Sequence, residues 1–296
     1  MLDARTLTRE LGGRSYGSGS LCFCPAHANT RTPALSASNG RDGRLLLYCH
    51  AGCSYTAIVN ALRGLGLLEG KGSYAPPSRE ELIAIRETER QAVQKRARQA
   101  LTCWQEAQPI AGTPAEVYLR EVRLITAALP PWLRFHPACW HGPSARRLPA
   151  MVAMVQGVDP PAIHRTFLAP DGSGKASVEP NKMMLGACAG GHVELVRSEG
   201  PLVICEGIET GLALASGLLA HPATIWAALS ASGMAAVRLP ASPGRLTVAT
   251  DGDAAGSKAG TALATRAAAA SWRVSMLAAP SGQDWADVLE AERGAA

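Results

Sequence analysis

Aromatic residues are scarce in this chain, 5% of the total, and charged residues make up only 18%. No apolar run reaches transmembrane length, because Gly, Pro or charge interrupts each one, so no membrane partner is expected. The first ten residues, Met1 to Glu10, are charged and polar, which excludes a secretory leader and makes a cytoplasmic protein the expectation. No internal repeat at fixed spacing is present. The charge imbalance is small, a formal +5, which permits nucleic-acid binding without demonstrating it. What is present is length and apolar content: 296 residues, 47% hydrophobic, enough for two or three domains with real cores.

The eight cysteines divide into two sets. Four fall close together with a His, and Cys103, Cys139, Cys188 and Cys205 are scattered in apolar or loop contexts. In a reducing compartment that division implies one metal site plus ordinary buried thiols rather than a disulfide framework. Cys24-Pro-Ala-His27 supplies two ligands from one tight turn, and Cys49-His-Ala-Gly-Cys53 supplies two more. Between them lie the turn pairs Asn39-Gly40 and Asp42-Gly43 and the β-like run Arg44 to Tyr48. Two knuckles joined by a hairpin can close a tetrahedron of three thiolates and one imidazole, the donor set of structural zinc. Cys22 and His50 compete as ligands, but Cys22 lies two residues before Cys24 on an extended segment. The ribbon would hold Arg31, Arg41 and Arg44 on a rigid hairpin, where they could contact phosphates or a single-stranded base.

At the other end of the chain, Glu206, Asp251 and Asp253 each follow a short apolar run. Pro201 to Cys205 leads into Glu206-Gly207, and Arg245 to Thr250 leads into Asp251-Gly-Asp253. From 201 onward strand and helix patterns alternate. Strand 201–205 precedes helix 208–219, strand 224–228 a short helix near 232–238, strand 245–250 helix 255–270, and strand 272–278 helix 284–292. Four such units argue for a parallel sheet with right-handed crossovers. The three carboxylates then lie at the carboxyl ends of strands, where open α/β sheets place their ligands. Clustered there, they suit hard divalent cations and hence phosphate chemistry.

The middle is less regular. Ser78-Arg-Glu-Glu81 has the form of a capping box opening a charged helix to about Gln108. Thr113-Pro114-Ala-Glu116 is a second helix start. Residues 130 to 200 are β-rich, with strands at Ala150 to Val155 and Ala162 to Leu168.

These motifs together resemble bacterial and phage primases of the Toprim type. The N-terminal stretch Cys24-Pro-Ala-His27, Arg31-Thr-Pro-Ala-Leu-Ser36 and Cys49-His-Ala-Gly-Cys53 is similar to the primase zinc ribbon. Glu206-Gly207, Asp251-Gly-Asp253-Ala-Ala-Gly256 and Gln283-Asp284-Trp-Ala-Asp287 are similar to the Toprim domain. Ala115 to Arg120 resembles the helix that opens the primase core, and Ala162-Ile-His-Arg165 with Asn181-Lys182 loosely resembles its basic strands. The resemblance implies an α/β fold in four parts: zinc ribbon 1–70, charged linker helix 71–112, mixed α+β subdomain 113–200 and Toprim catalytic domain 201–296. It implies a primase-like nucleotidyltransferase making primers on single-stranded DNA from nucleoside triphosphates, in phage, plasmid or mobile-element replication.

The cofactors expected are structural Zn²⁺ and catalytic Mg²⁺ or Mn²⁺. Asp251 and Asp253 are expected as metal ligands, with Gly252 permitting the turn between them. Glu206 is expected to hold metal through water or act as general base. Asp284 is expected to complete a metal site or cap its helix, and Arg165, Lys182 and Lys258 to contact phosphate. The family's first motif often carries an acid where Thr210 stands here, with Glu209 beside it. The chain stops soon after the Toprim stretch, so any replicative helicase is expected on a separate chain. Alternatives are a non-catalytic recombination clamp, which has no need of three mutually repelling acids, and a Toprim nuclease, which usually brings an ATPase domain and hence a phosphate loop, absent here. A type I topoisomerase would need a gate tyrosine, and none of Tyr16, Tyr48, Tyr55, Tyr74 and Tyr118 lies in an obvious gate.

Overall fold

The computed structural model describes residues 2–16, 19–28, 32–40, 44–70 and 79–294, with backbone only at 81, 82 and 85. Arg31, Arg41, the Asp42-Gly43 turn and the Ser78 cap fall outside these residues. The chain divides into two compact units, Met1–Gln91 and Ala92–Ala296.

The first unit opens with helix α1 (Ala4–Glu10), whose N-cap Asp3 accepts the Thr6 N–H. Four antiparallel strands follow in sheet order, β1 (Gly13–Tyr16), β2 (Gly19–Cys22), β3 (Leu35–Asn39) and β4 (Leu45–Cys49). Helix α2 (Tyr55–Gly64) starts at the Ser54 cap. The core is small: Leu7, Leu35, Ile58 and Leu62 are fully buried around Cys22, Cys24 and Cys49. So small an apolar core calls for a staple.

Helix α3 (Arg79–Glu106) is followed by the two-residue strand β5 (Gln108–Pro109) and helix α4 (Pro114–Val117), which runs on as a π-helical turn, Tyr118–Val122. Pro114 occupies the first helical position as expected. The Thr113 hydroxyl, however, makes no cap bond and donates to the Ile110 carbonyl at 2.5 Å. Strands β6 (Leu133–His141), β7 (Arg146–Val155), β8 (Ala162–Phe167) and β9 (Lys182–Leu185) complete a five-stranded antiparallel sheet with β5 at its edge. Strand β8 is buried along its whole length. Side chains alternate across a strand. Ile163 and Phe167 accordingly join the core with Ala100 of α3, while Ala162 and Leu168 join the core on the opposite side.

Strand β10 (Val193–Val196) leaves that sheet and pairs antiparallel with the second one. The second sheet contains β11 (Leu202–Cys205), β12 (Thr224–Ala227), β13 (Arg245–Thr250) and β14 (Arg273–Ala278) in the order β10-β12-β11-β13-β14. All pairings except that of β10 are parallel. Each parallel strand leads into a helix: α5 (Ile208–Ala213, continuing as a π-helical segment Leu214–Leu218), α6 (Ala231–Ala236), α7 (Ala254–Ala269) and α8 (Trp285–Gly294). The chain passes from β11 to β12 on one side and then to β13 on the other. This is a topological switch point, and it opens a crevice at the carboxyl ends of β11 and β13. The two sheets share one core, in which Phe135, Met151 and Leu168 of the first meet Val203, Ile208 and Leu212 of the second. Among the described residues no helix is long and apolar enough to cross a membrane.

Candidate metal centre and acidic site

In the first unit, the ligand atoms of Cys24, His27, Cys49 and Cys53 all lie within 4.8 Å of one another. The His27 Nδ1 is 3.1 Å from the Cys53 Sγ and 3.7 Å from the Cys49 Sγ. The competitors point elsewhere. The Cys22 thiol donates to the Leu35 carbonyl at 3.5 Å, and the His50 Nε2 is 2.7 Å from the Ser36 hydroxyl. Three thiols and one imidazole, converging with no fifth donor among the described residues, form a closed site that fits zinc.

In the second unit, Glu206 follows β11 and Asp251 follows β13 directly. The two strands are hydrogen-bonded neighbours, with Ile204 opposite Val248, so the two acids leave the sheet side by side. Their fields overlap. Burial, then the charges of Glu206 and Asp284, push the Asp251 carboxyl up to about 6, against a partial offset from the Thr210 hydroxyl. Burial and the Asp253 charge likewise raise Glu206. Among the described residues the Cys/His group is the one set of three or more such side chains whose ligand atoms all lie within 4.8 Å of one another, and the acids make no such set.

The Asp251-Gly-Asp253 turn does require its glycine. Gly252 is needed for close approach, not for an unusual φ. A Cβ there would fall 1.9 Å from the Pro280 carbonyl oxygen. The Gly252 N–H donates to the Gln283 carbonyl, and the Gly282 N–H donates back to Gly252. This two-bond stitch brings the start of α8, and with it Asp284, beside Asp251. Asp253 is the N-cap of α7, accepting the Gly256 N–H at 2.6 Å. Asp284 forms a reciprocal box: its Oδ1 accepts the N–H groups of Ala286 and Asp287, and the Asp287 Oδ2 accepts the Asp284 N–H. The other Asp284 oxygen faces Arg123 at 3.6 Å, and Arg123 also holds Glu290 at 2.8 Å.

Glu209 neither replaces the acid missing at Thr210 nor lies in solvent. It is buried, between Lys175 at 3.2 Å, Lys182 in a short contact and the Tyr118 hydroxyl at 2.6 Å. Burial alone would raise its pKa. Lys182 and Lys175, with hydrogen bonds from Lys182 and Tyr118, outweigh burial and hold the carboxyl well below the usual range. Lys182 thus reaches the acidic crevice from the neighbouring sheet. Arg165 does not. The alternation of β8 puts it on the α3 side, buried, donating to the carbonyls of Trp140 and Met184. Lys258 is exposed on α7, and His164 is buried in β8.

Arg123, Lys175 and Tyr118 are the site neighbours that sequence reasoning missed. No sequence motif marks Lys175, and only the packing of the two sheets brings these residues to the crevice. Leu229 is a further marker: it takes the left-handed conformation (φ 73°) while its N–H donates to the Glu206 carbonyl, a strained position beside the site.

Residues 201–295 match the Toprim domain family, and residues 94–195 match a domain of unknown function, DUF7146. No curated protein matches the chain. Among solved structures, a DNA primase domain from Pseudomonas aeruginosa is 17% identical over 53% of this chain and 52% of that one, with a TM-score of 0.31; the chain thus spans about half of that structure's length. The Aquifex aeolicus primase, zinc binding and RNA polymerase domains, is 13% identical over 98% of this chain and 80% of that one, with a TM-score of 0.30. At those scores the alignments carry no weight beside the geometry of the site. The family match, on a mostly parallel sheet flanked by helices, identifies residues 201–295 as a Toprim domain.

Proposed function

We propose that the chain is a primase-like nucleotidyltransferase that makes short primers on single-stranded DNA from nucleoside triphosphates. The observation that carries this reading is the presence of Glu206, Asp251 and Asp253 together at the carboxyl ends of β11 and β13 despite the cost of their mutual repulsion. A domain that only clamped DNA would have no use for them. The N-terminal Cys/His ribbon, with its primase-like spacing, favours synthesis over the other Toprim chemistries.

Asp251 and Asp253 would hold Mg²⁺ or Mn²⁺, with Glu206 either joining them through water or serving as base; when bound these ions would relieve charge at phosphorus and on the leaving pyrophosphate. The protein's own groups do the rest. Glu206, with its pKa raised by burial and by Asp253, is suited to take the proton of the attacking 3′ hydroxyl, because a base nearer neutrality is the better catalyst. Lys182, beside Glu209 and within the field of Glu206, supplies a positive charge for triphosphate. Arg123 steadies Asp284, whose part is to cap α8 and set the loop against the Asp251 turn. Zn²⁺ at Cys24, His27, Cys49 and Cys53 would be structural. Lys258, on the exposed face of α7, is left as a contact for more distant template phosphate.

The test is incubation with single-stranded DNA, labelled ribonucleotides and Mg²⁺ or Mn²⁺. Labelled oligonucleotides should form with wild type and vanish with Asp251→Ala. DNA cleavage without synthesis would point to a nuclease, and metal-independent DNA binding with neither activity to a recombination clamp.

A further inference from the structure

On the face of the antiparallel sheet away from the acids, α3 and strands β6 to β9 enclose an open cavity of about 490 Å³. Cys103 of α3 and Cys139 of β6 meet there, with their sulfurs 3.6 Å apart. An approach closer by about 1.5 Å would bond them, since a disulfide spans about 2.05 Å. Arg165 is 6% exposed beside them, and it forms no ion pair with a carboxylate among the described residues. Its Nε is buried without a hydrogen-bond partner. A guanidinium left in this state is stabilised by a neighbouring thiolate.

We propose that Cys103 and Cys139 are an oxidisable pair, with Cys139 the reactive sulfur and Cys103 the one that resolves it, and that a hydroperoxide converts them into a disulfide fastening α3 to β6. The Cys139 sulfur attacks one peroxide oxygen. An S–O bond forms, the O–O bond breaks, and the departing oxygen leaves as water or alcohol with a solvent proton. The Cys103 sulfur then attacks the Cys139 sulfenic acid. An S–S bond forms, the S–O bond breaks, and the hydroxyl leaves as water with the Cys103 proton. Two sulfurs each lose one electron, and the peroxide gains two.

The surroundings favour this division of roles. The two sulfurs share a hydrogen bond in which either can donate; together with Arg165 and His136 it lowers the Cys139 thiol against the opposing effect of burial. Cys103 is raised, first by that same bond and then by burial. Glu106 and His136 face each other at 3.2 Å in the cavity, and Arg98 and Arg147 also line it, so the charge around the sulfurs is predominantly positive. Cys139 is 2% exposed and is reached through the cavity; its cationic setting makes a thiol reactive, whereas burial among apolar groups alone makes it inert. Cys188 and Cys205 are of the inert kind, with burial pushing Cys188 up to about 11. Helix α3 is also the stretch of chain through which Met1–Gln91 leads into Ala92–Ala296.

The full-length zinc-loaded protein is treated with one equivalent of hydrogen peroxide, digested with trypsin without reduction and read by mass spectrometry. The expected product joins the peptide from Gln99 to Arg120 with that from Phe135 to Arg146. In Cys103→Ser, Cys139 should instead stop at the sulfenic acid and be trapped by a 1,3-diketone. In the unmutated protein, iodoacetamide at pH 6.5 should label Cys139 at least tenfold faster than Cys188, a readout that does not depend on the variant folding. Oxidation confined to the four ribbon residues with both peptides left reduced, or equal labelling of Cys139 and Cys188, would overturn the proposal.

Discussion

His164 is buried and shifted to about 4, chiefly by burial and then by the charge of Lys182, so the folded protein holds it neutral. The unfolded chain takes up a proton near the ordinary value of 6.5. Stability should therefore be undiminished above pH 6.5 and fall as pH drops from 6.5 to 4, by up to about 3 kcal/mol. Urea titrations across that range should show the slope, and His164→Gln should flatten it. Glu209 acts further down the scale. Its folded pKa is depressed, so its contribution is complete above about 4.5 and is lost below it. Replacing Lys175 and Lys182 together by Met would leave the carboxylate buried with only Tyr118. That change should cost about 3 kcal/mol at pH 7, read from the urea midpoint. None of this partnership was legible in sequence, because burial on the first helical turn after β11 depends on a lysine from β9 and another from the loop before it.

The elements were easier to read than their neighbours. Strand 245–250 was placed to the residue, and the other parallel strands and their helices to within a residue or two, apart from the π-helical segment ending at Leu218; the antiparallel strand β10 was not foreseen. Apolar runs bounded by Gly and acids mark buried parallel strands in a way that alternation does not blur. The reason Gly252 is required was not legible, because the glycine yields to a distant carbonyl, that of Pro280, which no local pattern contains. Asp253 has two separable duties in this account, cap and metal ligand. Asp253→Asn should keep the cap and the fold while losing synthesis. Asp253→Ala should lose synthesis and also about 1 kcal/mol of stability. The ribbon residues were legible from spacing alone, since four soft donors on two knuckles leave few other arrangements. About one equivalent of zinc should survive gel filtration and be lost in Cys49→Ser with Cys53→Ser. Chelation should melt the circular dichroism of an isolated 1–91 fragment, because its core is too small to stand alone.

At the scale of the whole molecule, residues 92–296 form one body in which two sheets share a core and meet at the acidic crevice. The antiparallel sheet brings Lys182 to that crevice and keeps Arg165 on its other face, a separation decided by one residue of register in β8 and β9. This arrangement gives the proposed chemistry its division of labour, with acids from the parallel sheet and a cation from its neighbour. The most direct test of that account offers the protein homopolymeric single-stranded DNA with Mn²⁺ and one labelled ribonucleotide at a time. We predict incorporation of adenosine nucleotides on oligo-dT and guanosine nucleotides on oligo-dC, with pyrophosphate released in step, and no product from Asp251→Ala. Incorporation that ignores the template base, or strand cleavage in place of synthesis, would contradict it.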